Sequence, residues 1–396
     1  MTNTNRKIES NLDSTIRAPR RNREELAKYV HRPIFRHVMY NSPDENFFST
    51  NLASLSTVIQ ALDIEKDPYV ISLRAQLKRA RPGSYDYGRI DQKLSKVIQK
   101  ENSFTHKGLR DFERAAMDIC KDLGPWSADW FVWNVIERAK KAANPYDNMM
   151  TTWKRTEKVY LLDTLNKVFA SPVSYYADDI GDDSSDKTRA LIECLLLEKA
   201  EVESRGEAYS SIIFVQRRDA VIALAELLRH HPKTKNVFEI GTLLGSSESS
   251  LRHSMMDITR TMVKDAQEQI LSEFKAGEKN LIVSTSVAEE GIDIQACCSV
   301  IRWDPPPNMA SWAQSRGRAR KRKSTFTLMF EEGSKQQQDV AKWEILEQQM
   351  VALYNDPSRD PTLMLDDIFD VEEDDEEDDN MVLYVESTGY VLTLFR

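Results

Sequence analysis

Cysteine is scarce in this chain. Cys120, Cys194, Cys297 and Cys298 are the full set among 396 residues, and no two form a CxxC pair. That excludes a disulfide framework and a zinc ribbon, and it leads us to expect a reducing compartment, the cytoplasm first and the nucleus second. The six histidines show no metal-ligand spacing. His230 and His231 close a predicted helix, where positive charge favours the helix dipole over metal ligation. There is no run of eighteen apolar residues, so no membrane partner is expected. The opening stretch MTNTNRKIES lacks the apolar core of a secretory leader.

Net charge is the next guide. The formal value of −9 hides a strong asymmetry. Asn355 to Asn380 holds thirteen acids and one base, a local −12, so the rest of the chain carries +3. Arg6 to Arg36 has nine Lys/Arg against four acids, and Gln314 to Lys323 has six Lys/Arg and no acid. Local basic patches, more than the global sum, are what a phosphate backbone responds to.

The hydrophobic period divides the chain. From about Asn51 to Glu203 it is helical: Leu52, Leu55, Val58, Ile59 and Leu62, then Leu109, Phe112, Ala116, Ile119 and Cys120, stopped by Leu123-Gly124-Pro125. Ala190 to Leu197 reads as a helix buried on nearly every side, and Trp126, Trp130, Trp133 and Trp153 read as core. From Ser210 to Glu332 short β-branched runs (SIIFV, VFEI, NLIVS, SVIRW, TFTLMF) alternate with helices over 217–230, 258–274 and 309–318. That pattern predicts a parallel sheet covered on both faces. A polar helix follows, then the acidic run, expected to be a disordered linker, then sixteen residues of strand-like alternation.

Two segments carry chemistry. In NLIVSTSVAEEGIDIQACCSVIRWD a buried strand ends in hydroxyls at Thr285 and Ser286, Gly291 permits a close approach, and Asp293 offers a carboxylate to a ribose hydroxyl. Strand ends of open α/β sheets bind ligands. Physical reasoning alone leaves this even with an ordinary strand–loop–strand connection bearing surface acids. SWAQSRGRARKRKS lies on a helix after DPPPN; it reads as a solvated basic face, or as phosphate-facing arginines if a strand-end site lies nearby.

SIIFVQRR, LIVSTSVAEEGIDIQ and QSRGRAR, in this order and spacing, resemble motifs IV, V and VI of superfamily-2 helicases. The long helical insertion before the first is similar to that of the Dicer and viral-RNA-sensor group. ELAKYVHRPIF and PGSYDY…LGPWSADW resemble fungal Dicer-like proteins, and LYVESTGYVLTL resembles the first strand of the Dicer dimerisation domain. The resemblance implies that Thr285, with Ser286 beside it, contacts the RNA backbone. It implies that Gly291, Asp293 and Gln314 border ATP, and that Arg318 and Arg320 face the triphosphate as arginine fingers. Lys321 occupies the alternative place for the second finger.

The fold class expected is a RecA-like α/β parallel-sheet domain preceded by an all-α insertion, with an acidic disordered C-terminal linker. The expected boundaries are 1–48 (end of a first motor domain and connector), 49–205 (insertion), 206–333 (RecA-like domain), 334–354 (helix), 355–380 (linker) and 381–396 (start of a dimerisation domain). No GxxxxGK[ST] loop occurs, and the string Asp375 to Asp378 lies in the acidic run with no strand to aim it. ATP and Mg²⁺ are therefore expected only in an intact parent, with no metal ligands in this chain, and a nuclease signature is not visible. The chain is expected to start after the first motor's catalytic motifs and to stop inside the next domain, as a split product or an incomplete gene model. Its expected partners are double-stranded RNA and the first motor domain of the same parent. The expected function is the C-terminal half of a Dicer-like ATP-dependent RNA helicase in RNA silencing and antiviral defence. The alternatives are a non-catalytic module that binds double-stranded RNA, and a protein-interaction scaffold.

Overall fold

The computed structural model describes residues 32–42, 48–143, 150, 152–181, 184–245, 254–263, 266–285, 294, 296–354, 382–385 and 390–393. In chain order these form β1 (Ile34–Tyr40), α1 (Thr50–Gln60), α2 (Pro68–Arg79), α3 (Tyr85–Lys100), α4 (Phe104–Leu123), α5 (Pro125–Ala142), α6 (Arg155–Leu165), α7 (Ala177–Gly181) and α8 (Asp186–Glu203). Then come β2 (Ser211–Phe214), α9 (Arg218–His230), β3 (Ile240–Leu243), α10 (Gln267–Ala276), β4 (Leu281–Ser284), β5 (Ser299–Arg302), α11 (Met309–Arg316), β6 (Thr325–Glu331), α12 (Lys335–Tyr354), β7 (Val382–Val385) and β8 (Tyr390–Thr393).

Local chemistry sets most of these bounds. Ser49, Ser84, Ser103 and Ser185 cap α1, α3, α4 and α8, each accepting from a backbone N–H of the first turn. Asp67 caps α2, with Pro68 at the first helical position. Gly124, at φ 112°, ends α4 in a conformation a side chain would resist, and Pro125 opens α5.

Three expected elements shift. The strand expected over Val237–Ile240 begins only at Ile240, because Val237 and Phe238 are drawn into a turn by hydrogen bonds from their N–H groups to Thr234 O. The helix expected over 258–274 is split. Ser254 and Asp257 form a capping box for a 3₁₀ segment, Met255–Met262, in which Thr259 and Thr261 donate back to Met256 O and Ile258 O, and α10 begins at Gln267. Helix α8 is buried on one side, not all round: Leu191, Ile192 and Leu195 are inside, while Leu197 is 58% exposed.

Strands β1 to β6 form one parallel sheet in the order β1-β6-β5-β2-β4-β3. The expected domain limits change accordingly. β1 falls within the span 1–48 expected to end a first motor domain, yet it pairs with β6 from Ile34↔Thr325 to Tyr40↔Glu331 and is an edge strand of this sheet. The helical insertion separates β1 from β2 in sequence, which hides the pairing. Helix α8, placed in the insertion by the boundary at 205, lies against the sheet. Glu198, 1% exposed, accepts from Ser299 Oγ of β5 and from Thr327 Oγ1 of β6 at 2.8 Å, and Arg36 of β1 reaches Glu201 at 2.7 Å.

The alternation along each strand feeds two cores. Ile213, Val215, Leu281, Val283, Ile301 and Met329 join the bundle core of Leu55, Phe112, Phe131, Leu161 and Leu195. Ile212, Phe214, Ile282, Val300, Phe326 and Leu328 face Ile270, Phe274 and Trp312. Trp126, Trp130 and Trp153 are buried, as expected of core. Trp133 is half-buried, and Trp153 stands in the turn before α6 against Phe104 at 5.2 Å. Helices α2 and α3 keep a small core of their own, Val70, Leu73 and Leu94.

Residues 24–343 form one compact unit; residues 1–23 and 344–396 cluster separately. The described part of the second unit is the latter half of α12 and the antiparallel hairpin β7–β8, in register from Val382↔Thr393 to Val385↔Tyr390. The acidic linker over 355–380 lies outside the described residues, as does most of the expected remnant over 1–48.

Candidate functional site

In a parallel sheet all strands end at one edge, and two of the expected site segments separate on that basis. Thr285 follows the last residue of β4, beside β2, where the chain's course reverses from one half of the sheet to the other. Such a reversal point is the usual ligand crevice of an open α/β sheet. Thr285 is 6% exposed; its N–H donates to Leu243 O at 3.2 Å and its hydroxyl accepts from Gly245 N at 3.3 Å. Ser286, Gly291 and Asp293 lie outside the described residues.

The same edge carries a charged hub. Asp304, just past β5, accepts from Gln216 N at 2.7 Å and pairs with Lys187 of α8 at 3.6 Å. The Lys187 ammonium sits over the Trp303 ring at 4.3 Å and the Tyr40 ring at 5.2 Å. Burial pushes the nearby Asp122 carboxyl up, against the pull of Lys187. Arg217 pairs with Asp118 and Asp219 and donates to Ala115 O at 3.1 Å. The expected motif IV segment is thus bolted to helix α4 of the insertion.

The arginine-bearing segment begins at this edge and ends at the other. Asn308 caps α11 by accepting from Ser311 N at 2.9 Å. Arg302, 2% exposed, donates to Asp304 O at 3.2 Å and lies 3.4 Å from Ser311 Oγ, which fixes where α11 starts. Trp312 is fully buried, and the Arg316 guanidinium lies over it at 4.4 Å. Gln314 is half-buried. Arg318, also half-buried, accepts from Cys297 N at 3.2 Å through its carbonyl, and Cys297 stands two residues before β5 begins. The structure therefore brings Arg318 to the segment that leads out of the expected ATP-bordering loop. It does not bring Arg318 to Thr285, which lies at the opposite strand end, about 10 Å or more away along the sheet.

Arg320 is exposed, and among the described residues it donates only from Nε, to Gly317 O at 2.6 Å. Lys321 turns inward: its ammonium reaches Ser210 Oγ at 3.0 Å, Ala208 O at 3.5 Å and Cys298 Sγ at 3.7 Å. Of the two, Arg320 is the residue that faces outward. The four cysteines are buried thiols, and burial, then neighbouring Cys298, pushes Cys297 up to about 12. Burial, then Lys233, lowers the His231 pKa, and its Nδ1 accepts from Lys233 N at 3.2 Å; the expected positive charge at the end of α9 does not belong to this residue. His230 instead reaches Glu226 at 3.2 Å.

One surface was missed in the sequence. On α3, Arg89, Lys93, Lys96 and Lys100 follow at intervals of four, three and four residues, so they share one face for about 16 Å, and all four are exposed. Tyr87, Ile90, Leu94 and Val97 occupy the inner face. Arg89 pairs with Asp86 at 3.4 Å; among the described residues no carboxylate lies within 4 Å of Lys93, Lys96 or Lys100. Counting charge over 74–100 reveals it: eight Lys/Arg against two acids.

Residues 186–323 match the helicase conserved C-terminal domain family. That match begins at α8, which agrees with the place of this helix on the sheet. The chain is a helicase region of the fungal Dicer-like type, similar over 98% of its length to several curated proteins. It is 35% identical over 390 residues to Dicer-like protein 2 of Neosartorya fischeri and 35% identical over 393 residues to Dicer-like protein 2-1 of Aspergillus niger, covering 26% of each. It is 32% identical over 393 residues to Dicer-like protein 2 of Cryphonectria parasitica, covering 25%. The chain thus spans about a quarter of the length of these relatives.

Proposed function

We propose that this chain is the insertion and second motor portion of an ATP-dependent helicase acting on double-stranded RNA, in RNA silencing and antiviral defence in the cytoplasm. The observation that carries the reading is the division of the sheet into two working edges. Thr285 and the motif IV segment stand at one, and Arg318 with outward-facing Arg320 stands at the other. A strand-tracking motor needs this separation, because backbone contacts and triphosphate contacts must act at once on different ligands.

ATP supplies the bond that is cleaved, and a first motor domain supplies its phosphate cradle and Mg²⁺ site. The residues here that fit the nucleotide are guanidinium groups. Arg320 keeps its Nη groups without a hydrogen-bond partner among the described residues, and Arg318 is held through its carbonyl to Cys297 N, four residues after Asp293 in the sequence. Their part is to neutralise charge on the phosphates and orient them; Gln314 borders the same turn.

RNA is held by its backbone, through Thr285, through Ser286, and through the basic face of α3. Binding is sequence-independent and weak, with a dissociation constant no tighter than about micromolar. Changing Lys93, Lys96 and Lys100 together to Glu tests this. The slope of log affinity against log salt for a double-stranded RNA should become shallower by about 2 to 3, roughly 0.9 per lost phosphate contact. An unchanged slope removes α3 from the interface. A second reading, a non-catalytic module binding double-stranded RNA, is favoured for the isolated chain because its 396 residues hold no phosphate loop.

A further inference from the structure

We propose that Lys321 is a positioning residue that clamps the arginine-bearing turn onto the start of β2, and that it makes no contact with nucleotide. The inference rests on the reading of Arg318 and Arg320 given above and adds the device that holds them. An ammonium has three N–H donors. Lys321 spends them on three acceptors: the Ser210 hydroxyl, the Ala208 carbonyl and the Cys298 sulfur. None is left for a phosphate oxygen unless the clamp opens.

The acceptors are themselves fixed. Ser210 is 5% exposed; its N–H donates to Cys298 Sγ at 3.2 Å and its carbonyl accepts from Cys298 N at 2.9 Å. This joins the entry of β2 to the entry of β5. Thr325 N, at the entry of β6, donates to Cys298 O at 2.9 Å. Lys321 therefore ties the turn to a point where the entries of β2, β5 and β6 are joined.

The turn needs such a tie. Between Arg316 and Thr325 its internal bonds are short-range: Arg318 N to Ser315 O, Ala319 N to Arg316 O and Ser324 N to Lys321 O. Lys323 sits at φ 59°, a left-handed conformation that a lysine does not favour. Inside the turn the Arg318 carbonyl accepts from Cys297 N, the Lys321 ammonium reaches Ser210, and the Ser324 carbonyl accepts from Ile34 N at 2.7 Å; Arg320 lies between the first two of these ties. Releasing the Lys321 tie moves the next attachment beyond Arg320 out to Ser324, so Arg320 sits on a longer untied stretch.

Two variants test the clamp: Lys321→Met, which removes the donor, and Ser210→Ala, which removes its nearest acceptor. The first readout is amide hydrogen exchange on the chain alone, at Ala319 and Ser324. Each variant should speed exchange there by about tenfold, the factor expected for one charged hydrogen bond, and the double variant should add little. Unchanged exchange in Lys321→Met overturns the clamp. The second readout is ATP hydrolysis by the chain mixed with a first motor domain from the same parent. Both variants should lower kcat and leave KM for ATP within about twofold. A raised KM in Lys321→Met with normal Ser210→Ala kinetics shows a direct phosphate contact and overturns the proposal. If mixing restores no hydrolysis, the helicase reading is what fails, and the exchange result still decides the clamp.

Discussion

The two edges of the parallel sheet use charge in opposite ways. At the strand-exit edge, Lys187 pairs with Asp304, and Arg217 pairs with Asp118 and Asp219. The first pair ties α8 to the segment just past β5, and Arg217 ties the segment after β2 to helix α4 of the insertion. At the entry edge, Arg320 faces solvent with most of its donors unused among the described residues, and Lys321 is spent on holding it. The difference shows that charged residues in helicase-like segments cannot be assigned ligand roles by type alone. Arg217 and Arg320 look alike in sequence, but one is a rivet and the other is an available guanidinium.

The largest effect should come from testing that distinction directly. When the chain is mixed with a first motor domain, Arg318→Ala should reduce the restored RNA-dependent ATPase rate about 10³-fold or more, the scale of an arginine finger. Arg318→Lys should fail as well, since an ammonium lacks the planar fork. Arg217→Ala should instead act through stability, with a lower unfolding midpoint. Phosphate release and thermal unfolding on the same samples separate the cases. If Arg318→Ala hydrolyses ATP like the unmutated chain while the halves associate on RNA, the entry edge is not the nucleotide side.

The next effect concerns the strap between edges. Glu198→Ala removes the acceptor shared by Ser299 and Thr327 and leaves both hydroxyls buried. A loss of about 2–4 kcal/mol is expected from urea unfolding, because each unsatisfied buried donor costs about 1–3 kcal/mol. A loss under about 0.5 kcal/mol would mean that apolar packing alone holds α8 on the sheet.

Much of this was legible in the sequence, and the exceptions have physical causes. The strands over 211–214, 281–284 and 325–331 were visible because each is buried on both faces and so reads as an unbroken apolar run. β1 was not, because IFRHVMY is an exposed edge strand whose partner lies nearly three hundred residues on, and pairing at that distance leaves no local trace. The break between the 3₁₀ segment and α10 was hidden because Ile258, Met262, Ile270 and Phe274 keep a helical spacing across it. The α3 stripe was averaged away in a total of −9. For the candidate site, motif order singles out Arg318 and Arg320, but only the structure places them at the edge opposite Thr285.

The smallest expected effect lies far from both edges, in the bundle, and it shows what a buried charge costs where no ligand compensates. His106 is fully buried at the start of α4. Its Nε2 lies 2.8 Å from Tyr160 Oη, and its Nδ1 has no hydrogen-bond partner among the described residues. Asp67, 3.8 Å away, already accepts from Ser103 Oγ at 2.6 Å and Tyr69 N at 2.8 Å. Burial, the largest cause, lowers the His106 pKa; Asp67, Asp63 and Glu101 oppose it and Arg110 adds to it. The doubly protonated ring would carry a donor on Nδ1 with no acceptor for it among the described residues. The unfolded chain protonates this ring near pH 6.5, so below that pH the unfolded state binds more protons than the folded one. Stability is then complete above about pH 6.5 and falls as pH drops toward the lowered folded value. His231, also lowered, contributes with the same sign, so the wild-type slope belongs to both. His106→Gln isolates one of them. Its unfolding free energy should be lower at pH 7.5, but should decline less between pH 6.5 and 5.5 than that of the unmutated chain, by up to about 1 kcal/mol, less than one pKa unit's worth of linkage. Parallel pH profiles for the two proteins would show that His106 accepts its second proton in the fold as readily as in water.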